Sequence, residues 1–500
     1  MSVTYGGSWI GYHARATPQR TALADVPGGR RVSYAELEQR TARLAAALRS
    51  SFGVGRGDRV AMLSRNCALA FELMYACARL GAIFVPLNVR LAPAELRRLA
   101  ADAGPSVLFG EQELLRAPIA PGIPALSWEQ DLEHLLADGS AGLDPVPLGP
   151  DDPWVIIYTS GTTGLPKGVL VTHGGSAATM HGALAGGQVT SSSSCLTVLP
   201  VWHVAGLNLF ANPVLFAGGT VLVMQAFDPA TALDLLTRDT DPVTHFCGVP
   251  ANYQFMQALP GFAAAPLRDF WAGVGGSPVP AALVRAWGER GVTLRTIYGI
   301  SEAGAAVTMS PPGAAVTVPG DVGLPLWHLR CRVMDGDRAC PPGLPGELQV
   351  AGTSVTPGYW RQPEATAQAV RDGWLRTGDI AVAGQDGRIQ IIDRAKDMYI
   401  SGGENVYPAE VEGVLYHHPA VAEVAVVGVP DQRWGESGAA WVVLAPGAAA
   451  SADDIRSWAR ARIAAFKVPR DVVITDGLPR NATGKVLKAE LRRQAAAGLG

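Results

Sequence analysis

The chain has few of the features that would make it a membrane, secreted or polyanion-binding protein. Its 500 residues carry a formal net charge of only −3, so we expect no surface for nucleic acid. No apolar run is long enough to span a bilayer, and the N-terminal sequence lacks the charged start and apolar stretch of a signal peptide. The six cysteines form no CxxC pair and no zinc spacing, which favours reduced, mostly buried thiols in a cytoplasmic protein.

The chain is long, and strand-like and helix-like segments alternate along its first part. A chain of 500 residues is too long for one hydrophobic core, so at least two domains are expected. Residues 33–48 read as a helix, because Ser33 and Glu36 have capping-box spacing. The apolar runs Arg59–Leu63 and Ile83–Pro86 read as strands, with a helix over 67–80 between them. This βαβ rhythm predicts parallel sheets and an α/β fold.

The pattern changes twice further along the chain. Residues 110–150 are richer in proline, glycine and acidic residues and predict a surface excursion. Residues 322–390 are short apolar runs broken by glycine and proline, which predicts a small β-rich subdomain. A compact α+β segment of roughly a hundred residues is expected after Arg394.

The most informative run is residues 158–169, YTSGTTGLPKGV. Its glycines let the backbone approach a ligand closely, and its hydroxyls, free N–H groups and the Lys167 ammonium suit phosphate oxygens. The apolar residues 154–157 predict a buried strand that leads into this loop. The run is not a Walker A loop, because Pro166 precedes the lysine and Gly168 follows it. On composition alone, a flexible surface loop fits equally well.

The complete string resembles the phosphate loop of the adenylate-forming superfamily, which includes acyl-CoA synthetases, carrier-protein-loading adenylation domains and firefly-type luciferases. The resemblance implies a large N-terminal domain over 1–394, built from two αβα-layered sheets and a small β-barrel-like subdomain. It also implies a small, mobile α+β domain over 395–500. Within the loop, the residues implied to bind ATP are Thr159, Ser160, Gly161, Thr162, Thr163, Gly164 and Lys167.

A second motif is YGISEAG at residues 298–304. An aromatic ring beside a glycine can stack on a flat base, and a carboxylate is a hard oxygen ligand for Mg²⁺. Standing alone, the string reads more simply as a strand end with a cap. By resemblance to the superfamily's YG-x-TE motif, Tyr298 stacks on adenine, Ser301 meets the α-phosphate and Glu302 holds Mg²⁺, while Gly299 belongs to the same nucleotide-binding set. Upstream, the glycine-rich turn implied to line adenine and the acyl group is Gly275, Gly276 and Ser277.

The string LPVWHVAGL at residues 199–207 presents a histidine beside an aromatic residue. Such a histidine is commonly a packed core residue, but the resemblance assigns His203 to the acyl pocket and to the gate for the thiol. The residues implied to line the acyl pocket are His203, Val204, Gly206, Gly273, Gly275, Ala303 and Gly304. Because most of these side chains are small and uncharged, we expect room for a bulky, mainly apolar acid. Aryl, alicyclic, polycyclic and medium-to-long acyl acids all remain open.

Two further motifs imply the ribose site and the hinge. TGD at 377–379 presents a carboxylate from a predicted tight turn, and the resemblance makes Asp379 the ribose ligand with Arg394 as its partner. In DRAKDMYISGGENVYP, which begins at residue 393, Lys396 matches the hinge about which the C-terminal domain turns. Gly402 and Gly403 match the segment that approaches the pantetheine arm of coenzyme A.

The last motif is PRNATGK at residues 479–485. A lysine in an exposed, turn-rich stretch is usually only solvated. By resemblance, Lys485 is the catalytic lysine that bridges the substrate carboxylate and the α-phosphate, where electrostatic stabilisation contributes strongly to the rate.

The motifs together predict an AMP-forming acid–thiol ligase that uses ATP, Mg²⁺ and coenzyme A, as a monomer or homodimer. Two other functions stay open at this point. The enzyme could deliver its acyl group to a carrier protein or an amine, or the chain could bind nucleotide without catalysis. The presence of both Glu302 and Lys485 argues against the last of these, because binding alone needs no catalytic lysine.

Overall fold

The computed structural model describes residues 6–138, 143, 145–159, 166–311, 320–394, 397–401, 404–480 and 486–498. In residues 6–138 the strands are β1 Thr21–Val26, β2 Arg31–Ser33, β3 Arg59–Leu63, β4 Ile83–Pro86, β5 Val107–Gly110 and β6 Ala125–Ser127. The helices of this region are α1 Ser8–Ala16, α2 Tyr34–Phe52, α3 Ala68–Leu80, α4 Pro93–Ala103, α5 Gln112–Leu115 and α6 Leu132–Asp138.

The next region runs to residue 311. Its strands are β7 Pro153–Thr159, β8 Lys167–Thr172, β9 Ser194–Thr197, β10 Thr220–Met224, β11 His245–Gly248, β12 Trp271–Gly275, β13 Leu294–Tyr298 and β14 Thr308–Met309. Its helices are α7 His173–Gly186, α8 Val204–Asn208, α9 Ala211–Ala217, α10 Pro229–Thr237, α11 Pro250–Gln257 and α12 Ala281–Gly288.

The remaining elements follow residue 320. The strands are β15 Leu324–Pro325, β16 Leu329–Asp335, β17 Arg338–Ala339, β18 Pro345–Gly352, β19 Val370–Arg371, β20 Trp374–Ala383, β21 Ile389–Arg394, β22 Tyr399–Ser401, β23 Glu404–Val406, β24 Val421–Asp431, β25 Gly435–Leu444 and β26 Asp471–Ile474. The helices are α13 Pro363–Ala369, α14 Pro408–Tyr416, α15 Ala452–Arg460 and α16 Lys488–Ala496.

These strands form four sheets. The first has the order β15-β14-β13-β12-β11-β9-β10-β1-β2 and is parallel from β13 to β1; the second has the order β6-β5-β3-β4-β7-β8. Helices α2, α3 and α7–α9 share one hydrophobic core with both sheets. The third sheet is antiparallel, with β17-β16-β18-β20-β19 and β21 on β20, and the fourth joins β22–β26.

Several local predictions are confirmed. Ser33 caps α2, and its capping box is complete, because Ser33 Oγ accepts from the Glu36 N–H while the Glu36 carboxylate accepts from Ser33 N–H at 2.8 Å. Strands β3 and β4 have the predicted bounds. The mixed α/β class, with a large N-terminal and a small C-terminal domain, is also confirmed. The boundary between 394 and 395 stays a prediction; it lies between β21 and the first strand of the fourth sheet.

The predicted surface excursion over 110–150 is wrong in its first part. Strand β6 pairs in parallel with β5 and extends the second sheet. The Trp128 ring stacks on Phe109 with ring centroids 5.4 Å apart, and Leu132 is buried. The proline, glycine and acidic residues of this segment did not indicate β6 or α6. A few apolar side chains are enough to dock a short edge element on a sheet.

No helix in these described ranges is both long and apolar enough to cross a membrane.

Candidate active site

The two ends of the phosphate loop lie side by side. Strand β7 ends at Thr159 and β8 begins at Lys167, and these two residues are antiparallel partners. The Thr159 hydroxyl donates to the Lys167 carbonyl at 3.4 Å. Residues Ser160, Gly161, Thr162, Thr163 and Gly164 lie outside the described residues. The structure therefore places the lysine at the mouth of the loop.

The segment 356–360 joins this strand pair to the acidic motif. Trp360 N–H donates to the Gly168 carbonyl at 2.7 Å, which adds the segment to the edge of β8. Thr356 N–H donates to the Glu302 carbonyl at 2.7 Å, while its hydroxyl lies 2.7 Å from the Leu170 carbonyl. One short segment thus holds the second sheet against the 3₁₀ turn Ser301–Ala303.

Tyr359 is the residue that this segment contributes to the site. Its hydroxyl donates to Glu302 Oε1 at 3.0 Å, and Lys167 Nζ lies 4.9 Å from its ring centroid. Burial, together with the Glu302 carboxylate, raises the pKa of Tyr359, so the phenol stays protonated as a donor. Sequence reasoning missed this residue. The only signal was two adjacent aromatics after a glycine, in TPGYW.

Glu302 fits the expected role as a magnesium ligand. One oxygen accepts from Tyr359, and a carboxylate keeps further lone pairs for a cation. Among the described residues, no cluster of three His, Cys, Asp or Glu side chains could form a metal cage. This donor set suits Mg²⁺, which is commonly held by one or two carboxylates together with substrate phosphates and water.

The predicted ribose site is a buried carboxylate between two donors. Tyr298 Oη donates to Asp379 Oδ2 at 2.6 Å, and Arg394 Nε lies 3.2 Å from Asp379 Oδ1. Asp379 is 4% exposed. Burial, followed by the Asp379 charge, raises the pKa of Tyr298, so this phenol also remains a donor.

The prediction of a tight turn at TGD is wrong, because the residues lie inside β20. The pairing of β20 with β18 shifts register at this point, and Gly378 has a positive φ of 69°. The Thr377 hydroxyl donates to the Leu348 carbonyl at 2.7 Å and accepts from Asp379 N–H at 3.1 Å. A β-bulge therefore aims the carboxylate, which is a common use of bulges beside active sites.

The glycine-rich turn follows β12, next to the strand that ends at Tyr298. Gly275 closes β12, Gly276 has a φ of 80°, and Ser277 is exposed. A Cβ at Gly299 would lie 1.6 Å from the Ala305 carbonyl, so no side chain is possible there. Ser301 is buried at the start of its 3₁₀ turn. The carboxyl ends of β12 and β13 thus lie at one edge of the first sheet, where parallel α/β folds bind ligands.

His203 caps helix α8. Its Nδ1 accepts from the Ala205 N–H at 3.2 Å, so the proton of the neutral ring is on Nε2. The ring is partly exposed, whereas Val204 is buried.

The small residues assigned to the acyl pocket do not leave the open volume that we expected from them. A Cβ at Gly206 would lie 2.1 Å from the Pro200 carbonyl, and one at Gly273 would lie 2.7 Å from the Trp271 ring. A Cβ at Gly304 would lie 2.5 Å from the Thr179 hydroxyl, and Ala303 is packed in the core of the third sheet. These residues are small because neighbouring atoms already fill the space.

The residues predicted to act from the C-terminal domain, Lys396, Gly402, Gly403 and Lys485, lie outside the described residues. The helix that follows Lys485 is anchored firmly. Lys488, the first residue of α16, places Nζ 2.8 Å from Glu412 Oε1, and Arg492 lies 2.8 Å from Asp397. Burial lowers the pKa of Lys488, but Glu412, Asp393 and Asp397 outweigh it, so the pKa is raised and the side chain stays charged.

Comparison with known proteins shows the family to which the chain belongs. The family model of AMP-binding enzymes matches residues 11–360, and the model of the AMP-binding enzyme C-terminal domain matches 410–485. A feruloyl-CoA synthase of Amycolatopsis is 41% identical over 98% of both chains. An indoleacetate–CoA ligase of Aromatoleum aromaticum is 38% identical over 97% of both. The structure of ATP-bound MatB from Rhodopseudomonas palustris covers 97% of this chain and 98% of its own at 32% identity, with a TM-score of 0.89.

The chain belongs to the AMP-binding enzyme family. The identification from its motifs, an AMP-forming acyl- or aryl-CoA synthetase of the adenylate-forming superfamily, is confirmed.

Proposed function

We propose that the chain activates a bulky, mainly apolar carboxylic acid with ATP and transfers the acyl group to coenzyme A. The observation that carries the proposal is the meeting of three sheets at one site. The second sheet brings Lys167, the end of β13 brings Tyr298 and Glu302, and the third sheet brings Asp379. The groups proposed to bind the nucleoside, the phosphates and the metal are thus contributed by three sheets, with Tyr298 bonded to Asp379 and Tyr359 bonded to Glu302.

The nucleoside end is bound by the buried carboxylate. Asp379 Oδ2 accepts a hydrogen bond from Tyr298 and Oδ1 forms an ion pair with Arg394, and each oxygen retains a lone pair for a ribose hydroxyl. Holding the carboxylate from both sides fixes its orientation before ATP arrives, so less entropy is lost on binding. The Tyr298 ring is the surface on which adenine stacks.

In the first half-reaction an oxygen of the acid attacks the α-phosphorus of ATP. The new C–O–P linkage forms while the bond from the α-phosphorus to the bridging oxygen breaks, giving acyl-AMP and pyrophosphate. Lys167 and the loop 158–169 grip the departing phosphates, and Lys485 stabilises the reacting oxygens. Mg²⁺, held by Glu302, would neutralise phosphate charge. Positioning and electrostatics dominate phosphoryl-type chemistry of this kind.

In the second half-reaction the C-terminal domain turns about Lys396. Lys485 leaves the site, and the segment with Gly402 and Gly403 lines the path of the pantetheine arm. The thiol sulfur attacks the acyl carbonyl and gives its proton to water, while AMP leaves with the electron pair of the acyl C–O bond. His203, at the start of α8, would gate the approach of the thiol. One small domain thereby serves two steps, which is a hinge motion of the kind that gates many enzymes.

Aromatic acids are the leading substrates. The feruloyl-CoA and indoleacetate relatives both take acids with an aromatic ring on a short arm. The face of the first sheet behind the site is apolar, with Cys247, Trp271 and Ile297 in one core. Such a surface suits an uncharged ring better than a second carboxylate.

The proposal is tested by incubating the protein with ATP, Mg²⁺ and coenzyme A against acetate, malonate, benzoate, decanoate and a polycyclic acid. Mass spectrometry should find AMP, pyrophosphate and the CoA thioester of an apolar acid. Preference for acetate or malonate would overturn the substrate class. Acyl-AMP without transfer to coenzyme A would favour a carrier-protein or amine acceptor, and absence of pyrophosphate with every acid would leave a nucleotide-binding protein.

We place the enzyme in the cytoplasm, where its co-substrates ATP and coenzyme A are available. All six cysteines are free thiols, which fits a reducing compartment.

A further inference from the structure

The side chains of β12 divide between two cores. Ala272 and Val274 pack with Trp287 in a core on one side of the first sheet. Trp271 points to the other side, where it shares a core with Cys247 and Ile297. Because side chains alternate along a strand, Gly273 and Gly275 belong to the same side as Trp271, which we call the inner face. This face runs up to the carboxyl edge of the first sheet, where β12 ends at Gly275 beside the proposed active site.

Trp271 occupies the layer of the inner face that a side chain at Gly273 would fill. A Cβ there would lie 2.7 Å from Trp271 Cζ3, 2.9 Å from Ile297 Cδ1 and 3.1 Å from Cys247 Sγ. The indole therefore leans along the strand towards Gly275 and the active-site edge. Glycine at 273 is the residue that makes room for it.

The indole is held rigidly in this position. The centroid of the Phe210 ring, which follows α8, lies 4.9 Å from the centroid of the indole. The His245 ring is stacked on the indole with the centroids 6.4 Å apart. His245 is fixed in turn by the Gly187 carbonyl at 2.8 Å. The Arg295 guanidinium covers the indole at 5.4 Å from the ring centroid. Trp271 is only 5% exposed, so its position is set by packing from several sides.

For an acyl group that extends from the carboxyl edge along the inner face, the position of the indole would limit how deep it can reach. Gly273 and Gly275 are two strand residues apart, which is about 7 Å. An acid with its carboxyl group at the edge therefore meets the indole after roughly the length of one aromatic ring and a short arm. A long, straight acyl chain would have to displace the ring.

We propose that Trp271 forms the floor of the acyl site and restricts the enzyme to acids with one ring system on a short arm. This inference rests on the proposed function. It predicts that 3-phenylpropenoic acid is activated well and that dodecanoic acid is activated poorly.

The test uses the full-length protein and three variants. Trp271→Ala removes the floor and should raise kcat/KM for dodecanoic acid relative to 3-phenylpropenoic acid by roughly tenfold or more. Trp271→Ala with Gly273→Val refills the same layer from the neighbouring position and should restore the original preference. Trp287→Ala, at a fully buried tryptophan in the core on the opposite side of the sheet, should leave the ratio unchanged.

Circular dichroism and thermal denaturation establish that each variant is folded. If Trp271→Ala does not fold, Trp271→Leu makes the same measurement with a smaller cavity. The proposal that Trp271 is the floor of the acyl site would be contradicted if the wild type preferred dodecanoic acid. It would also be contradicted if a folded Trp271 variant had the same ratio of kcat/KM for the two acids as the wild type. Failure of every acid to release pyrophosphate from the wild type would instead overturn the proposed function.

Discussion

The Tyr298 phenol donates a 2.6 Å hydrogen bond to the Asp379 carboxylate, and this contact joins the first sheet to the third. The two residues are 81 positions apart in sequence. Tyr298 is the last residue of β13, and Asp379 lies at the bulge of β20. The nucleoside site therefore exists only when the two sheets are docked.

Replacement of Asp379 by Asn should weaken ATP binding more than it slows turnover. The change removes the charge that Arg394 and Tyr298 orient, and a hydrogen bond to a charged group contributes about 1.5–3 kcal/mol. We expect the KM for ATP to rise roughly tenfold or more, measured by pyrophosphate release. Asp335→Asn, at an exposed aspartate of the same sheet, is the control. A change confined to kcat would contradict a binding role.

Replacement of Tyr359 by Phe should raise the Mg²⁺ concentration needed for half-maximal activity. The variant keeps the ring over which Lys167 lies but removes the donor to Glu302 Oε1. Loss of a hydrogen bond to a metal ligand commonly costs 10–100-fold in affinity or activity, and we expect roughly tenfold. Tyr12→Phe, at an exposed tyrosine, serves as control. Mg²⁺ dependence equal to that of the wild type would show that Tyr359 does not orient Glu302.

Replacement of Lys485 by Ala should slow adenylation by roughly 10²–10³-fold, because one group that stabilises the transition state is lost. Thioester formation from supplied acyl-AMP should suffer much less, since the role proposed for Lys485 ends with adenylation. Lys467→Ala, which removes a lysine paired with Glu410 in the same domain, is the control. Equal damage to both half-reactions would refute the role.

Replacement of Lys488 by Met should destabilise the C-terminal domain. The Glu412 carboxylate, which also accepts from Val426 N–H at 2.8 Å, would remain buried without its counter-charge. Removing one partner of a buried pair costs about 3–5 kcal/mol. The double variant Lys488→Met with Glu412→Leu should recover part of that loss, as urea denaturation can measure. A double variant less stable than Lys488→Met would show that the pair itself is not the cause.

Stability should fall as the pH is lowered from 6.5 towards 4, in part because of His173. Its ring is 2% exposed and stacks on Trp154 at 5.0 Å, and burial lowers its pKa from 6.5 to about 4. Between these values the unfolded chain binds the proton and the folded chain does not, so acid favours unfolding by up to about 3 kcal/mol. Above pH 6.5 this contribution is constant.

The comparison variant is His173→Phe, which keeps an aromatic ring but cannot titrate. Its free energy of unfolding should depend less steeply on pH between 4 and 6.5, as measured by urea denaturation across that range. Parallel curves for the two proteins would assign the acid sensitivity to other groups, such as His328, whose pKa burial also lowers to about 4.

Features that depend on neighbours in the chain were predictable. The capping box at Ser33, the strands Arg59–Leu63 and Ile83–Pro86, and the strand before the phosphate loop follow from local hydrogen bonds and apolar runs. The residue types of the site were also predictable, because the sequence itself shows a carboxylate that can bind Mg²⁺ and a lysine that can bind phosphate.

Features that depend on distant segments were decided only by the tertiary structure. The bulge at Gly378 exists because β20 pairs with β18, and Tyr359 reaches Glu302 because the segment 356–360 adds to the edge of β8. The sequence by itself determined the chemistry, in the types and order of Glu302, Asp379 and Lys485. The shape around that chemistry, including the indole that fills the space left by Gly273, was set by packing between segments far apart in the chain. Such packing leaves no periodic or local pattern, since each contact depends on which strands and helices become neighbours.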